Sequence, residues 1–174
     1  MLLQQAGRED LLRVRRLAHL EITVDGSLRM LRDQAPLHRG NLELPEGYSF
    51  EDLLQSLNER IFFWPGSEDK PIDYGQRHFE RCEPQRPVIL KVGLQSLLAA
   101  NPSVEPEFCR YNSGSPRCSG GKRSPRGFNT FLPASQFEGT SADVVEVTFT
   151  EPVRLPSDAL VGDRPIGPWK GLFS

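Results

Sequence analysis

Asn58-Glu59-Arg60-Ile61-Phe62-Phe63-Trp64-Pro65 passes from a helix into a strand and its stop with almost no linker, and it decides the fold class. Upstream, Ser49 precedes FEDLLQSLNER, with Asp52 placed as in a capping box and Phe50, Leu53, Leu54 and Leu57 along one face. That pattern predicts a helix. Downstream, Ile61 to Trp64 is apolar on both faces and is stopped by Pro65-Gly66, as expected of a central, covered strand. A second strand is expected over Val144–Phe149, with Val145, Val147 and Phe149 on one face and Val144, Glu146 and Thr148 on the other. Further strands are expected at His19–Val24, which meets the turn Asp25-Gly26, and at Val88–Val92 after Pro87. Helices are expected over Arg8–Arg16 and from Leu94 to about Asn101, and the polar stretch from Glu68 to Cys82 reads as a loop with a short helix. Strands and helices alternate irregularly, with no glycine fingerprint after a strand. The fold class is therefore α+β rather than a doubly wound sheet.

At 174 residues the chain is expected to form one domain, with an irregular tail over 156–174 where glycine and proline accumulate. Its 37% hydrophobic and 25% charged residues and net charge of −2 are ordinary for a globular protein, so bulk charge points to neither a nucleic acid nor a membrane. The longest apolar runs fall far short of the roughly 20 residues of a bilayer span. The opening MLLQQAGRED has no signal-peptide pattern, and the chain reads as cytoplasmic. Cys82, Cys109 and Cys118 cannot all pair with one another, and their spacing is poor for zinc, so free thiols and no metal are expected. His19, His38 and His78 form no ligand or catalytic pattern.

One stretch departs from this background. Between Phe108 and Phe137 there is no acid, while Arg110, Arg117, Lys122, Arg123 and Arg126 all fall in the loop Cys109–Pro133. That loop is about twice the length at which structureless loops become uncommon in compact domains. Tyr111, Phe128, Phe131 and Leu132 would be costly to leave in water, which favours an ordered loop facing a ligand over a solvated excursion. Its glycines and serines suit phosphate oxygens, although no Walker spacing is present. Arg117, Lys122, Arg123 and Arg126 are accordingly candidate phosphate ligands. Glu146 is the second singular residue: a glutamate between valines is ordinarily on the solvent side of a half-exposed strand, and the alternative is a carboxylate lining a cleft.

NERIFFWP, LRDQAPL (Leu31–Leu37), NSGSPR (Asn112–Arg117), SPRGFNTFLP (Ser124–Pro133) and VVEVTF (Val144–Phe149) together resemble an uncharacterised bacterial family, a domain of unknown function. Its recurring order is N-R-I/V-F-F-W, N-S-G, P-R-G-x-x-T-F and V-V-E, and the likeness runs from about Leu11 to Leu155. That family is in turn distantly similar to ADP-ribosyltransferase toxins that modify DNA or RNA. The resemblance implies a bent, split mixed β-sheet with flanking helices and a long basic loop before the last core strand. It also implies NAD as the group donor, a nucleic acid or nucleotide as acceptor, and Glu146 as the catalytic carboxylate. Arg60, Trp64, Tyr74, Asn112, Ser113, Arg126 and Thr130 would then contact NAD, with Trp64 or Tyr74 stacked on a ring, while Arg117, Lys122 and Arg123 meet nucleic acid or phosphate. A His-containing strand that opens the family has no counterpart in Met1–Gly7, so the resemblance implies an N-terminally shortened domain. The competing expectations are a non-catalytic nucleic-acid or phosphate-binding module and a protein-interaction domain. The discriminator is Glu146, since a transferase requires a carboxylate facing the ligand and a binding module does not; Arg60, Trp64, Arg126 and Glu146 are expected to converge on one concave site.

Overall fold

A computed structural model describes residues 2–66 and 73–174. The helices are α1 (Leu2–Gln5), α2 (Phe50–Asn58), α3 (Asp73–Cys82) and α4 (Leu94–Ala100). The strands are β1 (Leu20–Val24), β2 (Ser27–Leu31), β3 (Leu42–Glu43), β4 (Ile61–Phe63), β5 (Ile89–Lys91), β6 (Glu107–Cys109), β7 (Ser124–Pro125), β8 (Leu132–Pro133), β9 (Glu146–Phe149), β10 (Leu160–Gly162) and β11 (Lys170–Gly171). The fold is α+β, built on several small sheets.

The central sheet has the order β4-β9-β6-β8 and is antiparallel throughout. Its two faces bury different clusters. Cys109 and Phe62 pack with Leu53, Leu54 and Leu57 of α2 and with Leu37, Leu42 and Phe131. On the other face Val147, Phe149, Phe63 and Phe108 pack with Leu97 of α4. Strand β9 is buried along its whole length because it is flanked on both edges and covered on both faces. Strand β4, expected at the centre, is at the edge. Its uniform apolarity reflects cover from both sides, with Phe62 edge-on to Phe131 at 6.0 Å and Phe63 edge-on to Phe149 at 5.8 Å.

The capping box of α2 forms as the sequence predicts: Ser49 Oγ accepts from the Asp52 N–H and the Asp52 carboxylate accepts from the Ser49 N–H. Asp25 (φ 48°) and Gly26 (φ 71°) both take the left-handed conformation that closes the β1–β2 hairpin. The helix expected over Arg8–Arg16 is absent apart from a short 3-10 turn at Glu9–Leu11. Tertiary contacts override the local pattern there. Arg13 pairs with Asp52, Arg15 donates to Ala35 O, and Arg16 donates to Arg32 O and to Asn58 Oδ1. The tail expected to be irregular contributes β10 and β11 to a three-stranded antiparallel sheet with β5. Of the polar segment from Glu68 to Cys82, residues 68–72 lie outside the described residues, and the rest is α3.

The long basic loop is ordered. It carries β7, which pairs parallel with β3, and β8, which pairs with β6. A turn at Gly120 (φ 57°) and Gly121 (φ 77°) closes the bridge between Ser119 and Lys122. The burial expected of its aromatic residues holds for Phe131, whereas Phe128 is 68% exposed and rests edge-on against Tyr48.

Candidate functional site

Register assembles the site. β9 pairs with β6 so that Glu146 lies opposite Cys109, and β6 then leads directly into the loop. Four residues on, the Ser113 N–H donates to Glu146 Oε1 at 3.1 Å. On the other edge of β9, Phe63 lies opposite Val147, which brings Trp64 level with Glu146. The same antiparallel register sends Arg60 the opposite way. Four residues at about 3.3 Å each separate it from Trp64 by roughly 13 Å along the edge.

Glu146, Trp64, Ser113 and Asn112 line one cavity of about 520 Å³, with Tyr74, Arg77, His78 and Arg81 from α3 and Arg16, Asp33, Asn58 and Arg117 on its other walls. The Trp64 ring sits 4.5 Å from that of His78, and a Cβ at Gly75 would meet Trp64 Cβ at 3.3 Å, so α3 packs closely over this indole.

Glu146 is 3% exposed. Burial raises its carboxyl to about 7, a shift that hydrogen bonding from Ser113 and the charge of Arg126 oppose. Its carboxyl thus titrates well above the usual carboxylate range, as suits a group that takes up a proton. Among the described residues four buried side-chain polar atoms have no hydrogen-bond partner: Arg16 Nη1, Trp64 Nε1, Ser113 Oγ and Glu146 Oε2. All four residues line this cavity. Buried polar groups are nearly always paired, and the unpaired ones among the described residues all belong to the lining of this one cavity.

Arg126 stands behind this wall. It is 4% exposed, its Nη2 donates to Asn112 O at 2.9 Å and its Nε to Ser113 O at 3.4 Å, while Nη1 donates to Pro125 O at 2.7 Å and Ser124 Oγ at 3.1 Å. Its guanidinium also lies 4.4 Å from the centre of the Tyr111 ring. The arginine thus clamps the start of the loop to its end and presents Ser113 to Glu146.

Of the residues expected to converge, Trp64 and Glu146 share the cavity, and Arg60 and Arg126 do not line it. Arg60 pairs with Glu107 at 2.7 Å and lies over Phe131. Tyr74, Asn112, Ser113 and Arg117 line the same cavity as Glu146. Thr130 is buried, accepts from the Gly127 N–H at 2.7 Å, and lines with Arg126 a second cavity of about 390 Å³. Lys122 and Arg123 are exposed near the loop tip and line neither cavity. The sequence reading missed Arg16, Asp33, Asn58 and Arg77. Arg16 carried only a weak signal, the basic run Arg13-Val14-Arg15-Arg16; Asn58 and Asp33 fall within the NERIFFWP and LRDQAPL motifs without being singled out, and Arg77 carried none.

The described residues contain no group of three or more His, Cys, Asp or Glu able to hold a metal ion, and no helix long and apolar enough to cross a membrane. All three cysteines are free. No curated protein and no solved structure matches the chain. The model of a family described as "Family of unknown function (DUF7002)" matches residues 1–160, and the chain belongs to that family.

Proposed function

We propose that the cavity binds NAD and transfers its ADP-ribosyl group to a nucleotide or nucleic-acid acceptor, with Glu146 as the catalytic residue. One observation carries this reading: a buried carboxylate with a free oxygen on the wall of a cavity whose other charged lining is four arginines and Asp33, the latter held by Arg81. A binding site for anions gains nothing from such a carboxylate. A site that develops positive charge does. The cavity volume of about 520 Å³ falls within the roughly 300–1,000 Å³ of small-molecule sites.

In the reaction the bond between ribose C1′ and the nicotinamide nitrogen breaks, and its electron pair leaves with nicotinamide. The resulting oxocarbenium ion is stabilised by the Glu146 carboxylate. An acceptor oxygen or nitrogen forms the new bond to C1′ and releases a proton, which a carboxylate titrating near 7 can accept. Ser113 Oγ–H and Trp64 Nε1–H supply donors beside the carboxylate, and the rings of Trp64 and Tyr74 offer stacking surfaces. In this reading the antiparallel central sheet and the three-stranded β11-β10-β5 sheet correspond to the two parts of a split transferase sheet.

The test is nicotinamide release from NAD in the presence of an oligonucleotide or nucleotide acceptor, with the mass shift of the acceptor measured in parallel. Glu146→Gln keeps the shape and removes the charge, and its rate is expected to fall by about 10²–10³. Equal rates in the two proteins would remove Glu146 from the chemistry. Firm oligonucleotide binding with no turnover in either would establish a binding module.

A further inference from the structure

We propose that Arg16, together with Arg77 and Arg117 of the same cavity, forms the subsite for a phosphate or diphosphate group, in place of the loop-tip cations Lys122 and Arg123. The proposal rests on the cavity being the ligand site described above. It does not depend on turnover.

Arg16 is a pinned, half-buried cation that makes no ion pair among the described residues, its charge favoured through space by Asp33. Its Nε donates to Arg32 O at 3.1 Å and its Nη2 to Asn58 Oδ1 at 3.0 Å. Asn58 is itself held by its Nδ2 donating to Leu12 O at 2.7 Å, and Gln34 donates to Asn58 Oδ1 at 3.2 Å while accepting from the Arg16 N–H. Every acceptor that fixes the guanidinium is neutral. The remaining nitrogen, Nη1, is buried without a partner. Burial disfavours the charge of Arg16 and Asp33 offsets that only in part, so a network that orients the guanidinium and leaves one buried nitrogen free is organised for an anion that arrives from outside.

The other charges of the cavity do not neutralise it. Asp33 is engaged by Arg81 at 2.7 Å and by His19 at 3.1 Å. Glu146 faces Ser113. Among the described residues Arg77 donates to its own helix, at Asp73 O, and lies 5.0 Å from the centre of the Tyr74 ring. Arg117 forms no ion pair among the described residues. Four arginines therefore line the cavity against two carboxylates, in a chain whose net charge is −2. The planar guanidinium fork matches phosphate oxygens, and three such groups around one cavity suit a diphosphate better than a single carboxylate.

The experiment is calorimetric titration of inorganic pyrophosphate into the full chain, with inorganic phosphate and acetate as comparison anions and NAD as competitor. Binding of pyrophosphate, tighter than acetate and displaced by NAD, is expected. Arg77→Gln and Arg117→Gln, both exposed and outside the core, should each weaken it about 10-fold, the effect of losing a charge-assisted hydrogen bond. Arg16→Gln should weaken it at least as much. Arg16→Lys keeps the charge for the fold and should lose the fork, with a similar drop. The double change Lys122→Gln/Arg123→Gln should leave affinity unchanged. The proposal is overturned if wild type does not bind pyrophosphate, if Arg77→Gln and Arg117→Gln both bind like wild type, or if the loop-tip pair abolishes binding. Glu146→Gln separates the two readings: it should lower turnover by about 10²–10³ and retain pyrophosphate. Absent turnover with intact arginine effects would defeat the transferase reading and leave the anion subsite standing.

Discussion

Glu146→Gln should make the protein more stable at pH 8 and leave it nearly unchanged at pH 4.5. Glu146 is 3% exposed, Ser113 satisfies one of its oxygens, and the other has no partner. Burial holds its pKa at about 7, against 4.5 for the free side chain. Between those values the folded chain binds more protons than the unfolded chain, so the stability contributed by the protonated acid is complete below 4.5 and is lost as pH rises through about 7. The difference of about 2.5 units, at roughly 1.4 kcal/mol per unit, makes ionisation cost on the order of 3 kcal/mol above pH 7. Gln does not titrate and keeps an oxygen for the Ser113 N–H. Its advantage over wild type should therefore grow from near zero at pH 4.5 to about 3 kcal/mol at pH 8. Urea unfolding followed by far-ultraviolet circular dichroism at several pH values from about 4.5 to 8 measures this directly. A difference independent of pH, or a variant less stable than wild type at pH 8, would refute the claim that burial raises this carboxylate.

Arg126→Met removes a buried donor from Asn112 O, Ser113 O, Pro125 O and Ser124 Oγ, and should cost about 3–5 kcal/mol in urea unfolding at neutral pH. Ser49→Ala breaks the capping box of α2 and should cost about 1 kcal/mol, read as a lowered melting temperature. In the native protein a thiol reagent should modify Cys118 alone, because Cys82 and Cys109 are buried and burial, with the charge of Glu146, pushes the Cys109 thiol to about 12. Mass spectrometry before and after unfolding checks which cysteines are labelled.

The fold was legible where local chemistry and tertiary packing agree. Ser49 and Asp52 satisfy the first turn of α2 by themselves, and Asp25-Gly26 has the backbone freedom that the β1–β2 hairpin needs. The position of β4 was not legible. An apolar run shows that both faces are covered, but an edge strand under Phe131 on one side and Phe149 on the other presents the same pattern as a central strand. Arg8–Arg16 misled for the opposite reason. Its apolar spacing suits a helix, yet Arg13, Arg15 and Arg16 are held by partners 16 to 42 residues away, and no window centred on the segment contains them.

Glu146 and the acid-free loop stood out because each breaks the pattern around it, a charge between valines and a run of bases in an acidic chain. What remained hidden was which base does what, since that depends on burial. Arg126, with its guanidinium spent on loop carbonyls, and Arg117, exposed on the cavity wall, are only nine residues apart and identical in type. Arg16 is less visible still, because its role comes from the three-way arrangement with Gln34 and Asn58, two neutral residues from different elements. The site sets a cation fixed by neutral acceptors in one wall and a carboxylate whose pKa burial raises in another. Paired with each other, the two would cost less to bury. Kept apart, they are what the proposed reaction asks for: a cation for an anionic ligand and a carboxylate for the positive charge that develops on it.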